Sequence, residues 1–258
     1  MPSLILAALL AIAPAEITTR RSAPEADQGV AVDARSIYAV DNAEIAKYDR
    51  TTGARTAHFK GDPARFKHMN SCAVIGRELV CAASNFPATP MLSQVEVFDP
   101  AGLTHLRTVS LGHQFGSLTW VDRKGGSWWA GFANYDGRGG EPGRTHRATT
   151  LVRFDDQWRP HETWTFPPQV LARLAPMSAS GGTFGADGRL HVTGHDRPEL
   201  YVLDVPKGGG VLKLVATIPI PVKGQAIAFD RSTPGVLFGV NRATREVLGF
   251  RQPPLEQP

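Results

Sequence analysis

An all-β, five-bladed β-propeller closed by an N-terminal strand is the fold class this sequence predicts. Three features carry that expectation: a strand motif that recurs at blade length, two shorter strands ahead of each copy, and a spare strand near the start of the chain. The motif is an alternating strand ending in a large residue followed by Asp: Glu44–Asp49, Gln94–Asp99, Thr150–Asp155 and Glu199–Asp204. A fifth copy, Glu246–Phe250, lacks the Asp. The copies end at positions 49, 99, 155, 204 and 250, so successive spacings are 50, 56, 49 and about 46 residues. Their apolar positions follow the period of two that a half-buried strand requires.

The remaining strands follow in order. Gln28–Asp33 turns at Ala34-Arg35 into Ser36–Val40, and Asn70–Ile75 turns at Gly76-Arg77 into Glu78–Ala82. Ser117–Asp122 precedes Ser127–Gly131, Ser180–Phe184 turns at Asp187-Gly188 into Arg189–Thr193, and Gln225–Phe229 precedes Gly235–Gly239. Tight turns between short apolar runs are hairpin signals. Fourth strands read as Arg55–Phe59, His105–Ser110, His161–Thr165 and Leu212–Ile218. The fifth blade runs out of chain after its third strand, and residues 16–23 supply a strand able to complete it and close the ring. A β-sandwich also has short strands at regular spacing, but five matched units favour the propeller.

The chain has 258 residues, 42% of them hydrophobic, with 26 Gly and 20 Pro, which is a turn-rich globular composition. The net charge of +4 is spread without a Lys/Arg run, so nucleic acid is not an expected partner. Leu4–Ala13 is uncharged and leads to Ala13-Pro14-Ala15, an A-x-A site of the kind that ends a secretory leader. That stretch is too short to span a bilayer, which takes ~20 residues. The expectation is a leader over residues 1–15, a single domain over 16–258, and a periplasmic or secreted monomer with no membrane span.

Such a setting permits a disulfide, and the two cysteines sit where one is expected. With the turn at Gly76-Arg77, Ile75 pairs with Glu78 and the pairing runs outward to Cys72 and Cys81. Counting from the turn, these fall on a non-hydrogen-bonded pair, whose Cα atoms are ~4.5 Å apart. That separation lies at the short end of what a disulfide accepts.

The functional expectation concerns one face. Connections between blades share a face with the loops between second and third strands, and these are the long segments of the chain: 61–69, 86–93, 135–148 and the helix-like Pro168–Pro176. Elaborated loops on a rigid scaffold are where function concentrates. Residues opening the innermost strands (Gln28, Asn70, Ser117, Ser180, Gln225) and ending the second strands (Asn42, Asn85, Asn134, Asp196, Asn241) form a polar crown at the mouth of a central channel. They are the expected substrate-binding groups. His68 and His195 are the candidate catalytic residues, since imidazole moves protons near neutral pH. His68 lies two positions from Asn70, and Asp196 is placed to orient His195. His113 and His146 are weaker candidates. No metal site is expected. The crown is poor in carboxylates, so no cofactor is expected either, beyond a weakly held divalent cation such as calcium.

The segments His68–Ser71, Ala83–Pro87, Gly116–Asp122, Phe132–Asp136 and Thr193–Tyr201 together resemble a family of exported bacterial propellers often labelled cycloisomerase. Muconate-lactonising and gluconolactonase-like propellers are its distant analogues. The resemblance covers nearly all of the chain after the leader. It implies an enzyme that forms or opens a lactone in a small polar substrate, although five blades are fewer than the six or seven of those enzymes. The alternative from the residues alone is a non-catalytic propeller that binds a sugar, peptide or partner protein on the same face.

Overall fold

The structure, a computed structural model, describes residues 12–255. The leader expectation falls mostly on residues 1–11, outside the described residues. The first strand, β1 (Glu16–Ser22), begins where the sequence places the spare strand.

Blade one contains β2 (Gly29–Val32), β3 (Ser36–Asp41), β4 (Glu44–Asp49) and β5 (Arg55–Lys60). Blade two contains β6 (His68–Ile75), β7 (Glu78–Ser84), β8 (Ser93–Phe98) and β9 (His105–Gly112). Blade three contains β10 (Ser117–Lys124), β11 (Ser127–Ala133), β12 (Thr150–Phe154) and β13 (Pro160–Thr165). A short helix, α1 (Pro168–Leu174), leads into blade four: β14 (Gly181–Phe184), β15 (Leu190–Thr193) and β16 (Glu199–Asp204), with β18 (Lys213–Pro219) outermost. Between β16 and β18, β17 (Gly210–Val211) crosses to blade three and pairs in parallel with β13, an addition the sequence reading did not contain. Blade five consists of β19 (Ile227–Phe229), β20 (Val236–Asn241) and β21 (Glu246–Arg251), with β1 antiparallel to β21 on its outside. The five-bladed propeller and its N-terminal closing strand are therefore both observed.

Each blade follows the same burial logic. Inner strands are buried on both faces, as in β2 and β14, while outer strands such as β5 alternate exposed and half-buried positions. Large side chains fill the spaces between blades. Tyr38, Phe98 and Leu103 belong to the packing of blades one and two, and Trp120, Trp129, Trp164 and Phe184 to that of blades three and four.

Inner strands of neighbouring blades pack closely around the axis. A Cβ on Gly29 would lie 2.4 Å from the Asn70 carbonyl oxygen and 2.8 Å from Ala226 Cβ; one on Gly181 would lie 2.7 Å from Ala226 Cα. Inner strands of four blades thus meet backbone to backbone beneath the crown. Residues of all five inner strands line a small cavity of about 20 Å³, room for a water molecule.

The hairpin of blade two has the expected register, with Ile75 opposite Glu78 and Cys72 opposite Cys81. The cysteines form a disulfide across a Cα–Cα distance of 4.0 Å. Both are buried, at 4% and 0% exposure. The closed loop of about ten residues is worth ~2–3 kcal/mol by chain entropy. The double variant Cys72→Ala/Cys81→Ala is therefore expected to melt about 5–10 °C lower. Calorimetry checks this, and a loss of two mass units relative to the reduced chain verifies the bond in the parent protein. An unchanged melting temperature would show that the bond adds nothing to stability.

Candidate functional site

The loop-bearing face is unevenly covered. The loop after β7 is closed by Asn85, whose Nδ2 donates to Pro90 O (3.0 Å) while its Oδ1 accepts from Leu92 N (2.7 Å). The longer loop after β11 is tied down by Asn134, whose Nδ2 donates to Phe115 O (3.1 Å) and Ala148 O (3.0 Å). It is also held by Asp136, which accepts from the backbone N–H of His146 (2.8 Å) and faces its imidazole at 2.7 Å. Those contacts, the backbone N–H of His146 first, hold the Asp136 carboxyl below the usual range. This loop folds over blade two, where Glu141 accepts from Met91 N (2.5 Å) and Tyr135 packs on Phe86 with ring centroids 5.0 Å apart. Burial pushes the Tyr135 phenol up to about 12. The crown over blades two and three is accordingly roofed. Ser117 is fully buried there, donating to Ser84 Oγ (2.8 Å). Asn85 spends its amide on its own loop, and Asn134 ties the end of its loop, at Ala148, to the connection that enters blade three, at Phe115. Ser180 is half-buried at the entry to blade four, and its N–H donates to Thr193 O (3.0 Å).

Two other groups of crown residues come together. The first spans blades five, one and two. Asn42 donates from Nδ2 to Asp41 Oδ1 (2.8 Å), which fixes the orientation of the amide, since a carboxylate only accepts. Asn42 Oδ1 then faces His68 Nδ1 at 2.6 Å, so the imidazole carries its proton on Nδ1 and its lone pair on Nε2. Burial, and after it the positive charge of Arg242, pushes His68 down to about 4, so the ring is neutral at physiological pH. Burial and the nearby Asp27 carboxylate raise Asp41. Asp27, itself buried, accepts from Gln28 Nε2 (3.0 Å) and from Arg242 (3.4 Å), and it pairs with Arg245 at 3.0 Å. Asn70 sits at a bulge in β6, where Met69 pairs with Ala83 and Ser71 with Ala82, and it donates across to Leu118 O (3.1 Å).

The second group lines a cavity of about 670 Å³ between blades four and five. Here the segments after β15 and β20 are short, and no long loop among the described residues roofs the crown. Its walls include His195, Asp196, Gln225 and Asn241 from the expected set, together with Lys223 and Arg242. His195 Nδ1 lies 2.7 Å from Asp196 Oδ1, so Nδ1 is the donor and Nε2 holds the lone pair. Gln225 is buried in the left-handed region at φ 64°, an uncommon conformation for a non-glycine residue and one that concentrates at functional sites. Its carbonyl accepts from Thr193 Oγ1 (2.6 Å), and the next N–H, of Ala226, donates to Gln28 O (3.1 Å). Arg242 joins the two groups, since it both lines this cavity and reaches Asp27.

Asp27 and Arg245 were not among the sequence candidates, although both help hold the cluster together. The signal available was an acid immediately before Gln28 and two arginines in the turn after Asn241. Among the described residues, no group of three or more His, Cys, Asp or Glu side chains is arranged to hold a metal ion, and no helix is long and apolar enough to cross a membrane.

No model of a known protein family matches this chain, and no curated protein matches it in sequence. Solved structures do. Hydrazine synthase of Kuenenia stuttgartiensis is similar at 12% identity over 86% of this chain and 69% of that one, with a TM-score of 0.50. A luciferin-regenerating enzyme is 12% identical over 95% of this chain and 93% of that one (TM-score 0.48). A β-propeller domain of Cps50 (Swd1) from Myceliophteria thermophila is 12% identical over 87% and 83% (TM-score 0.47). At such identities the likeness concerns the fold alone: the chain is a β-propeller, and that architecture hosts enzymes and non-catalytic domains alike.

Proposed function

We propose that the chain is an exported enzyme that opens or forms a lactone in a small polar substrate, working in the cavity between blades four and five. The observation that carries the reading is the pairing of His195 with Asp196 in a cavity that also presents Lys223 and Arg242. Asp196 keeps the His195 proton on Nδ1 and leaves Nε2 to take a proton from water attacking the lactone carbonyl. Lys223 and Arg242 then stabilise the oxyanion and the carboxylate it becomes. Gln225 and Asn241 orient the ring. The imidazolium then gives that proton to the ring oxygen as its bond to the carbonyl carbon breaks, and in the forming direction Nε2 takes the hydroxyl proton as that oxygen attacks the carboxyl carbon and returns it to the departing water. His68, neutral and fixed by Asn42, is a second proton-transfer group across the Asp27–Arg242 bridge. The buried disulfide supports the export part of the reading, because such bonds persist in oxidising compartments.

A second reading, a non-catalytic propeller that holds a sugar, peptide or partner protein on this face, draws on how open the dyad is: the Asp196 side chain is 54% exposed. One experiment separates the two. A panel of γ- and δ-lactones and their open hydroxy acids is assayed with the parent chain and with His195→Ala, Lys223→Ala and His68→Ala/His195→Ala. The enzyme reading expects kcat/KM to fall ~10²–10⁴-fold for His195→Ala with an unchanged melt. It expects Lys223→Ala to lose less. Full turnover by the double histidine variant would remove both histidines from the chemistry. Saturable binding without turnover by the parent chain would favour the binding propeller.

A further inference from the structure

We propose that the opposite face of the propeller carries a second ligand site, a cleft between blades four and five that takes a small organic carboxylate with an aromatic or aliphatic body. The cleft has a volume of about 730 Å³. That is the size of a small-molecule site, which typically runs ~300–1,000 Å³. It lies among the turns that follow the inner strands, away from the crown.

Its chemistry has two parts. The walls are largely apolar, with Phe184 on the blade-four side, Phe229 and Pro234 on the blade-five side, and Leu255 of the C-terminal segment. Against them stand cations, and these are not equivalent. Arg123 is paired with Asp156 (2.5 Å), Arg189 with Asp204 (3.1 Å) and Arg231 with Asp122 (2.5 Å). Lys124 and Arg251 have no carboxylate within ion-pair distance among the described residues. Lys124 Nζ donates to the Gly188 carbonyl and lies 4.4 Å from the centroid of Phe184, while Arg251 donates to Pro234 O (2.9 Å). Burial lowers Lys124 from its ordinary value, against the pull of the Asp187 and Asp122 carboxylates nearby. A carboxylate entering the cleft would pair with Lys124 or Arg251, both of which line it. The phenylalanine and proline walls then cover an apolar body, a combination that neither a bare anion nor an amine satisfies.

Calorimetric titration of the full chain with 3-phenylpropionate, inorganic phosphate and phenethylamine tests the assignment. Saturable binding of 3-phenylpropionate is expected, weakened at least tenfold by Lys124→Met and by Arg251→Gln, and unchanged by Lys223→Ala on the crown face. Melting curves of each variant establish that the fold is kept, and Arg251→Gln, at an exposed strand end, provides the readout if Lys124→Met does not fold. Phosphate or phenethylamine binding as tightly as 3-phenylpropionate would overturn the proposal. So would binding that Lys223→Ala abolishes while Lys124→Met and Arg251→Gln leave it intact, or no saturable binding at all.

Discussion

Removal of Glu16–Ser22 is expected to lower the melting temperature by roughly 10–20 °C, at about 2–4 °C for each kcal/mol in a domain of this size. The strand contributes little apolar burial, since most of its positions are exposed and Ile17 is 36% exposed. Its contribution is the ladder to β21, with six register pairs from Glu16↔Arg251 to Ser22↔Glu246. At ~0.5–1.5 kcal/mol net for each backbone hydrogen bond, such a ladder is worth several kcal/mol. The strand also fastens blade one to blade five, because Arg21 Nη2 donates to Arg50 O (2.8 Å). Ring closure would then rest on side-by-side contacts such as the Arg50–Asp230 pair at 2.6 Å. The uncovered edge of β21 becomes a template for association, so light scattering should rise with protein concentration. A peptide of residues 12–23 added in trans is expected to restore part of the melt. A truncated chain that melts like the parent would show that the ring does not depend on this strand.

The fold was legible because its signals are local. Turn chemistry set the register of each hairpin, and at Gly76, with φ 62°, the two-residue turn fixed the pairing that brings Cys72 onto Cys81. What escaped sequence reasoning depends on approaches between blades. Gly29 and Gly181 let inner strands of neighbouring blades approach closely, and no local pattern reports how near two distant backbones come. The two-residue β17 is too short to show a period. It leaves its own blade through Gly208–Gly210, all at positive φ, to pair with another.

The candidate site was legible by position and not by partner. Asparagine at the end of a second strand has three different fates here. Asn42 orients His68, Asn85 and Asn134 tie down the loops that follow them, and Asn241 accepts from Ala243 N (3.2 Å) at the rim of the cavity. All four look alike in sequence because asparagine suits any turn. The difference comes from loop length. Long loops after β7 and β11 consume their asparagines, and short connections after β3 and β20 leave theirs facing the crown.

Asp122→Ala is expected to cost ~2–4 kcal/mol, from a buried backbone donor left without an acceptor, ~1–3 kcal/mol, and the other hydrogen bonds lost with the carboxylate. The carboxylate is 1% exposed and ends the buried part of β10 on the turn-bearing face. It accepts from Arg123 N (2.7 Å), Phe184 N (2.9 Å), Thr183 Oγ1 (3.2 Å) and Arg231 Nη2 (2.5 Å). One side chain thereby joins blades three, four and five beside the axis. In the alanine variant Arg231, with its side chain 55% exposed, turns to water at little cost. The Phe184 N–H has no such exit and stays buried without an acceptor, which accounts for much of the loss. Asp122→Asn keeps an oxygen for Phe184 while surrendering the charge, so its melting temperature should fall between those of the parent and Asp122→Ala. The same position in blade five extends the argument. Asp230 in blade five accepts from Arg50 Nη2 of blade one (2.6 Å) and is a second latch between blades on this face, whereas Asp33 keeps its carboxylate within blade one, on Tyr38 Oη (2.8 Å). Thermal melts of the two Asp122 variants decide the matter. Equal stability of Asp122→Ala and the parent would mean that packing between blades, and not this carboxylate, holds the turn-bearing end of the ring together.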